Sequence, residues 1–492
     1  MKRRKDYLTA TDFYKFLTCP HWPWFDRFAS EGEAALKREQ TPGEIRRWDD
    51  GVAHEKRVME QVFGGRGVTE LSSTGNPETL FRETTHAMES GAEIIYQGTL
   101  ISGDWQGRPD ILIKTDGSSS LGNWHYIPVD IKAAHVLKPS HRYQLMFYSI
   151  LLERIQGVFP EKAGIINNDQ EEHWFDPRTD FTDFENILGR LESIRQGDKP
   201  DLVLRKACFD TSPWGRACEA QAKAANDIAL LYNVDVKKLS ALRLLGIRTV
   251  DDAAEMHIES LAGAAPGLTA HALESIKFQA QSLIRGTVFI KEPVEFSATP
   301  FEIHFDIESD PPNDVDYLYG ILIRHEGKEE YRSFLARKPE DEKEMWTSFL
   351  AWLETLPSEF IVYHYAPYEP MRLAILEERY GGSIWLDRFR SRFIDLKPYA
   401  TKRVTYPLYF YGLKYICTFL GFHWRGNIKS GGESIDWFER WCEKGDEEDL
   451  RQILEYNEDD VRATAFLRDW LTQYASELAA YDPPYPWEGS RK

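Results

Sequence analysis

Cysteine, long apolar runs and basic charge are all scarce in this chain, and each scarcity excludes something. Five scattered cysteines in 492 residues make no disulfide framework and point to a reducing, cytoplasmic setting. No uninterrupted apolar stretch of the roughly 18 residues that a membrane span needs occurs, so no span is expected. Met1-Lys2-Arg3-Arg4-Lys5 is basic, but Asp12 and Lys15 follow too soon for a signal peptide. The formal net charge is −19, which argues against loose coating of a polyanion. A Gly-x-x-x-x-Gly-Lys-Ser/Thr phosphate loop is missing, so the chain carries no nucleotide-driven motor of that type.

What is present is a globular composition, 42% hydrophobic, over a length that implies two large domains and a small one. Basic pairs occur at Arg3-Arg4, Lys37-Arg38, Arg46-Arg47 and Lys56-Arg57. Such pairs are most often a solvated face. One stretch stands out. Phe301 to Asp310 alternates apolar and polar residues and contains Asp306-x-Glu308. On a strand of period two, both carboxylates project from one face. Adjacent acids repel unless a cation sits between them, and hard oxygen ligands suit Mg²⁺ or Mn²⁺.

In the N-terminal third, Gly51-x-x-His54 lies in a predicted helix that runs on through Glu60. Gly107-Arg108-Pro109-Asp110 is a turn before a strand, and Tyr126 to Lys132 is a second strand on which Asp130 and Lys132 share a face. Gln144 and Tyr148 share a helix face. Asp110 and Asp130 could hold a divalent cation against a scissile phosphate, with His54 completing the coordination and Lys132 orienting a water. A bare Asp-x-Lys is ordinarily only an edge-strand ion pair; the ordered set carries the reading. It resembles the RecB-like branch of the PD-(D/E)XK nucleases, including the CRISPR-associated RecB-like exonucleases. The resemblance implies that His54, Asp110 and Asp130 bind metal, that Lys132 is catalytic, and that Gln144 and Tyr148 position DNA. Many such nucleases hold an iron–sulfur cluster through four cysteines. Here only Cys19, Cys208 and Cys218 are available, with Thr211, Ser212 and Trp214 where another cysteine is expected. A hydroxyl replaces a thiolate poorly on iron, so no intact cluster is expected.

Residues 233–290 read as a small helical domain. Leu245-Gly246-Ile247-Arg248-Thr249 resembles a helix-hairpin-helix, which implies backbone amides offered to a phosphate. Arg248 stands where a second glycine is usual, and a plain helical spacer is the alternative.

From residue 297 to 478, three strands, then strand–helix units, then Tyr456-x-x-x-Asp460 on a helix follow the order of an RNase H-like fold. The constellation resembles the DnaQ-like, DEDD-type 3′–5′ exonucleases of the tyrosine subclass. It implies that Asp306, Glu308 and Asp460 hold two metals about 4 Å apart, with Tyr456 orienting the water. His364-Tyr365-Ala366-Pro367-Tyr368-Glu369 departs from the family motif by placing Glu369 where an Asp is usual; Asp395 or Asp459 could contribute instead. Residues 479–492 are expected to be an irregular tail.

The fold expected is therefore multidomain α/β: a restriction-endonuclease-like mixed sheet over 1–232, the helical segment, then an RNase H-like domain. Together these stretches are similar to bacterial RecB-like nucleases with a C-terminal RNase H-like domain. The resemblance implies a Mg²⁺- or Mn²⁺-dependent nuclease acting on DNA ends or single strands in repair or processing, with any helicase a separate protein. A binding protein with inactive centres and an RNA-processing exoribonuclease are the alternatives.

Overall fold

The computed structural model describes residues 6–134, 137–232, 234–311, 313–428, 430–482 and 487. The basic start and most of the proline-rich tail lie outside them, as does the side chain of Arg47. The chain divides into two compact units, residues 1–221 and 222–492, so the helical segment belongs to the second. Among the described residues, no helix is long and apolar enough to cross a membrane.

The first unit is built on six strands in chain order: β1 (Val68–Glu70), β2 (Ile94–Tyr96), β3 (Ile111–Ser119), β4 (Gly122–Ile131), β5 (Ala163–Ile166) and β6 (Glu172–Phe175). The sheet is mixed: β1 with β2 and β4 with β5 are parallel, and the remaining pairs are antiparallel. The end of β3, Asp116–Ser119, continues across a register shift in a hairpin with β4. Both faces are covered, as buried parallel pairs require. Helix α1 (Pro42–Val62) packs Val58 against Ile111, Val129 and Ile131 on one face. Helix α2 (Pro139–Gln156) packs Met146, Phe147 and Leu151 against Ile95, Leu112 and Tyr126 on the other. Alternation along β4 then decides a functional point. Val129 and Ile131 face α1, so Asp130 faces α2.

In the second unit, α3 (Val236–Leu244), α4 (Val250–Glu255) and α5 (Ala270–Arg285) form the helical segment. Gly246, at φ 88°, makes the turn after α3. The amides of that turn are all used internally. Leu245, Gly246 and Ile247 donate to α3 carbonyls, and Val250 donates to Asn226. Those of Arg248 and Thr249 donate to the Asp252 carboxylate at 2.9 and 2.8 Å. A capping acid thus fills the place where the hairpin resemblance would put a phosphate.

The core of this unit is a five-stranded sheet of β7 (Phe301–Asp310), β8 (Val315–His325), β9 (Lys328–Leu335), β10 (Ile361–His364) and β11 (Phe393–Asp395), in the order β9-β8-β7-β10-β11. The first three are antiparallel, and β10 and β11 run parallel to β7. Ile303, Phe305 and Ile307 pack on α6 (Glu342–Leu353), where Phe305 stacks on Phe349. The even-numbered residues of β7 therefore face the opposite way, towards the long helix Glu447–Tyr474. Between them come α7 (Tyr368–Tyr380), α8 (Leu413–Leu420) and α9 (Gly431–Lys444). Helix α10 (Glu447–Tyr474) is capped by Asp446 and has three acids in its first turn, which suits the positive end of the helix.

The expected irregular tail is corrected in part. Ala479–Tyr481 pairs with Val288–Ile290, which also pairs with Val404–Thr405, and Trp487 is buried against Trp470. Three short apolar segments close a second small sheet, too brief to show a period in sequence.

Helix α10 approaches the sheet so closely that only glycine fits beneath it. A Cβ on Gly320 would lie 1.6 Å from Asn457 Oδ1. Gly320→Ala should therefore destabilise the second unit by about 1–3 kcal/mol, read as a lower urea midpoint; an unchanged midpoint would show that the helix can yield.

Candidate metal centres

Gly320 pairs with Asp306 across β7 and β8, and this is where the second unit gathers its acids. Asn457 on α10 sits over the glycine and donates to Asp306 Oδ2 at 2.8 Å, while Tyr331 donates to Asn457 Oδ1 at 2.8 Å. Three residues on, Asp460 meets the same two acids of β7. Ligand oxygens of Asp306, Glu308 and Asp460 lie within 4.8 Å of one another. Among the described residues, no other three His, Cys, Asp or Glu side chains do so.

The remaining contacts hold this cluster in place. Trp424 Nε1 donates to Asp460 Oδ1 at 2.6 Å, and the Tyr456 hydroxyl donates to the same carboxylate. The Tyr317 and Ser434 hydroxyls, hydrogen-bonded to each other at 2.8 Å, lie beside Glu308 and favour its charge. The Lys414 ammonium lies 4.5 Å from the centroid of the Tyr456 ring. Burial first, then the charges of Asp460, Glu308 and Glu369, push Asp306 well above the usual carboxylate range. Burial and Asp460 do the same to Glu308. Burial raises Asp460 to about 6 even though Lys414, Trp424 and Tyr456 favour its charge. Tyr456 is driven far upward by burial and by all three acids, so its phenol stays protonated. Crowded hard oxygens that resist ionisation without a cation are the donor set that fits Mg²⁺ or Mn²⁺.

Glu369 stands outside the trio. It is buried at the start of α7 and accepts from His364 Nδ1 at 3.2 Å; the same N–H donates to Ala366 O at 2.7 Å. Ala366 holds φ at 82°, a strained turn costing about 1–3 kcal/mol. Its amide donates to Asp395 Oδ1, which also caps Lys397. Asp459 is held by the Arg425 amide and guanidinium. Both of these alternative acids are thus committed to local structure.

The first unit brings most of its expected set together. Asp110 Oδ2 accepts from the Ile131 amide at 2.8 Å, and Asp130 Oδ1 accepts from the Asp110 amide at 3.3 Å. Lys132 Nζ lies 2.8 Å from Asp130 Oδ2. Burial, then the charge of Asp130, pushes Asp110 well up. Burial opposes the charge on Lys132, but Asp130 and Asp110 outweigh it and hold it above the usual lysine value. Gln144 donates to the Tyr148 hydroxyl at 2.9 Å, and the buried Tyr148 feels both aspartates. His54 is buried on α1 but does not join Asp110 and Asp130 at ligand spacing. Its neighbour Glu55 does enter the electrostatics of Asp110 and Lys132.

Cys19, Cys208 and Cys218 also converge, in a buried nest where Phe25 stacks on Trp214 at 5.0 Å. Cys19 and Cys218 Sγ are 3.6 Å apart. A hydrogen bond with Cys208 favours the Cys19 thiolate, yet Cys218 and burial push that thiol up to about 12. Ser212, in the region of the missing cysteine, is buried with its hydroxyl accepting from the Trp214 amide.

Residues 303–472 match the family model of the RNase H superfamily. The C-terminal domain is RNase H-like. That domain type, with its crowded acids, suggests a nuclease-type nucleic-acid hydrolase. No curated protein matches the chain.

Several site residues had no distinct signal in the sequence. Gly320 acts by the space it leaves, Asn457 and Trp424 by hydrogen bonds, and Lys414 and Glu55 by charge, each on acids distant in sequence. His141, at the start of α2, is a further one. Burial and the nearby Lys132 and Lys138 charges lower it to about 4, and it is neutral near pH 7.

Folding raises Asp460 from 3.8 to about 6, so the metal-free fold binds that proton more tightly than the unfolded chain. This contribution is complete below about pH 4 and is lost as pH rises through about 6. In EDTA, Asp460→Asn should become progressively more stable relative to wild type across that window, and Mn²⁺ should stabilise wild type more than the variant. Thermal unfolding over pH 4–8 reads both; a variant that tracks wild type throughout would refute the crowding.

Proposed function

We propose that this chain is a metal-dependent nuclease that trims DNA from ends or single strands, in repair or processing. The observation that carries the reading is the Asp306, Glu308 and Asp460 cluster inside an RNase H-like domain. These three carboxylates would hold Mg²⁺ or Mn²⁺. Bound there, a cation would make water more acidic and offset charge on the phosphate. The protein's own groups do the rest. Tyr456 keeps its proton, so its hydroxyl donates to Asp460 and fixes that carboxylate's orientation. Asn457 does the same for Asp306. Lys414, whose charge acts on Asp460, would supply positive charge beside the acids.

The first unit is proposed as a second centre. Asp110 and Asp130 would share a cation, Lys132 would orient the attacking water, and Gln144 with Tyr148 would position the strand. Their convergence on one sheet face supports this, as does the RecB-like resemblance. His54 would need to swing towards the aspartates to join them; Glu55 is the nearer acid in the electrostatics.

A second reading, a nucleic-acid-binding protein with an inactive C-terminal centre, is favoured by one observation. Glu369 replaces the usual Asp and is tied to His364. End-labelled DNA and RNA, incubated with purified protein in Mg²⁺, Mn²⁺ or EDTA, separate the two. Wild type should cleave only with metal. Asp306→Asn should cost about 10²-fold or more in the activity of its centre, and Lys132→Ala should do so for the other. Absence of metal-dependent cleavage by wild type would leave the binding reading.

A further inference from the structure

The second unit contains a cavity of about 770 Å³ between α5 and the turn Tyr399–Arg403. Its charge runs against that of the chain. Lys238, His271, Lys291, Lys402 and Arg403 line it, with Glu292 the one acid among the lining residues. Lys238 is paired with Asp235 at 2.8 Å, and Arg403 Nε lies 3.7 Å from Glu292. Among the described residues, Lys291 and Lys402 form no ion pair. Burial lowers Lys291 below the usual lysine value, since Glu292 and Glu274 compensate only in part. A half-buried lysine left in that state is poised for an anion.

Rings stand beside the charges. Tyr232 stacks on Tyr411 at 4.2 Å, and the Arg403 guanidinium lies 5.0 Å from the centroid of the Tyr399 ring. One wall residue, Tyr411, is tied to the strand end that carries His364. The hydroxyl of Tyr365, next to His364, donates to the Tyr411 carbonyl at 2.6 Å. Three residues after Tyr411 comes Lys414, which acts on Asp460. Cations that track a backbone, together with aromatic rings that stack bases, are what a single strand requires.

We propose that this cavity is the docking cleft for a single phosphodiester strand, with phosphates on Lys291, Lys402 and Arg403 and a base against Tyr232 or Tyr399. The strand would run from there to the Asp306 centre. The proposal rests on reading that centre as a nuclease and deepens it by naming where the single strand docks. It also gives the helical segment a role that its hairpin amides cannot play.

The test uses the full chain in EDTA, with fluorescently labelled single-stranded DNA, single-stranded RNA and blunt duplex DNA, by anisotropy over a salt series. Lys291→Glu with Lys402→Glu should weaken single-strand binding at least tenfold. The log–log salt slope should flatten by about 1.4, for two phosphates at about 0.7 each. Lys291→Arg with Lys402→Arg should bind like wild type. Tighter binding of either single-stranded polymer supports the cleft and identifies its source. As a readout that needs no variant, a strand carrying 5-iodouracil should photocrosslink wild type at Tyr232 or Tyr399. Asp306→Asn should bind normally while losing only the cleavage of its own centre, so a failed nuclease reading is distinguishable from a failed cleft. Unchanged affinity of the glutamate pair, equal loss on duplex, or no adduct at either tyrosine overturns the proposal.

Discussion

Mutual repulsion among three half-buried or buried carboxylates is the constraint on which the second unit is arranged. Two unit charges about 4 Å apart repel by about 4 kcal/mol at an effective dielectric near 20. Asp306, Glu308 and Asp460 are crowded within that range, and each neighbour answers the crowding in some way. Asn457 and Trp424 donate to it, the paired Ser434 and Tyr317 hydroxyls favour the charge of Glu308, and Lys414 offsets the charge. The close seating of α10 over Gly320 follows from the same need, because a Cβ there would displace the Asn457 amide from Asp306. Proton or cation must supply what these contacts leave uncompensated.

The first unit solves a smaller version of the problem differently. Asp110 and Asp130 are two acids rather than three, and Lys132 neutralises Asp130 directly at 2.8 Å. Backbone amides of Ile131 and Asp110 take further lone pairs. An internal lysine that is also the candidate catalytic group couples charge balance to chemistry in a way the second unit does not.

Legibility followed the range of the interactions. Period-two alternation in β7 placed Asp306 and Glu308 on one face, and the i, i+4 step placed Tyr456 with Asp460; both depend only on local geometry. Asp130, Lys132, Gln144 and Tyr148 were readable for the same reason. The hairpin at Leu245–Val250 was not, because whether an amide is available depends on who else takes it, and Asp252 takes two. The tail strand Ala479–Tyr481 was missed because its pairing partner lies nearly two hundred residues away. Burial of Cys19, Cys208 and Cys218 in one nest agrees with reading them as related, while the region of a fourth thiol holds Ser212 and Trp214.

By itself, then, the sequence determined the α/β class, the faces on which the acids stand and the order of the RNase H-like strands, since all of these follow from backbone period and from spacing along one element. Tertiary structure brought Asp460 to Asp306 across some 150 residues, tied Glu369 to His364, committed Asp395 and Asp459 to local contacts, and left His54 off its aspartates. It alone gathered five basic side chains around one cavity in an acidic chain. The physical reason is that ligand spacing and local charge are sums over neighbours, and those neighbours are chosen by packing.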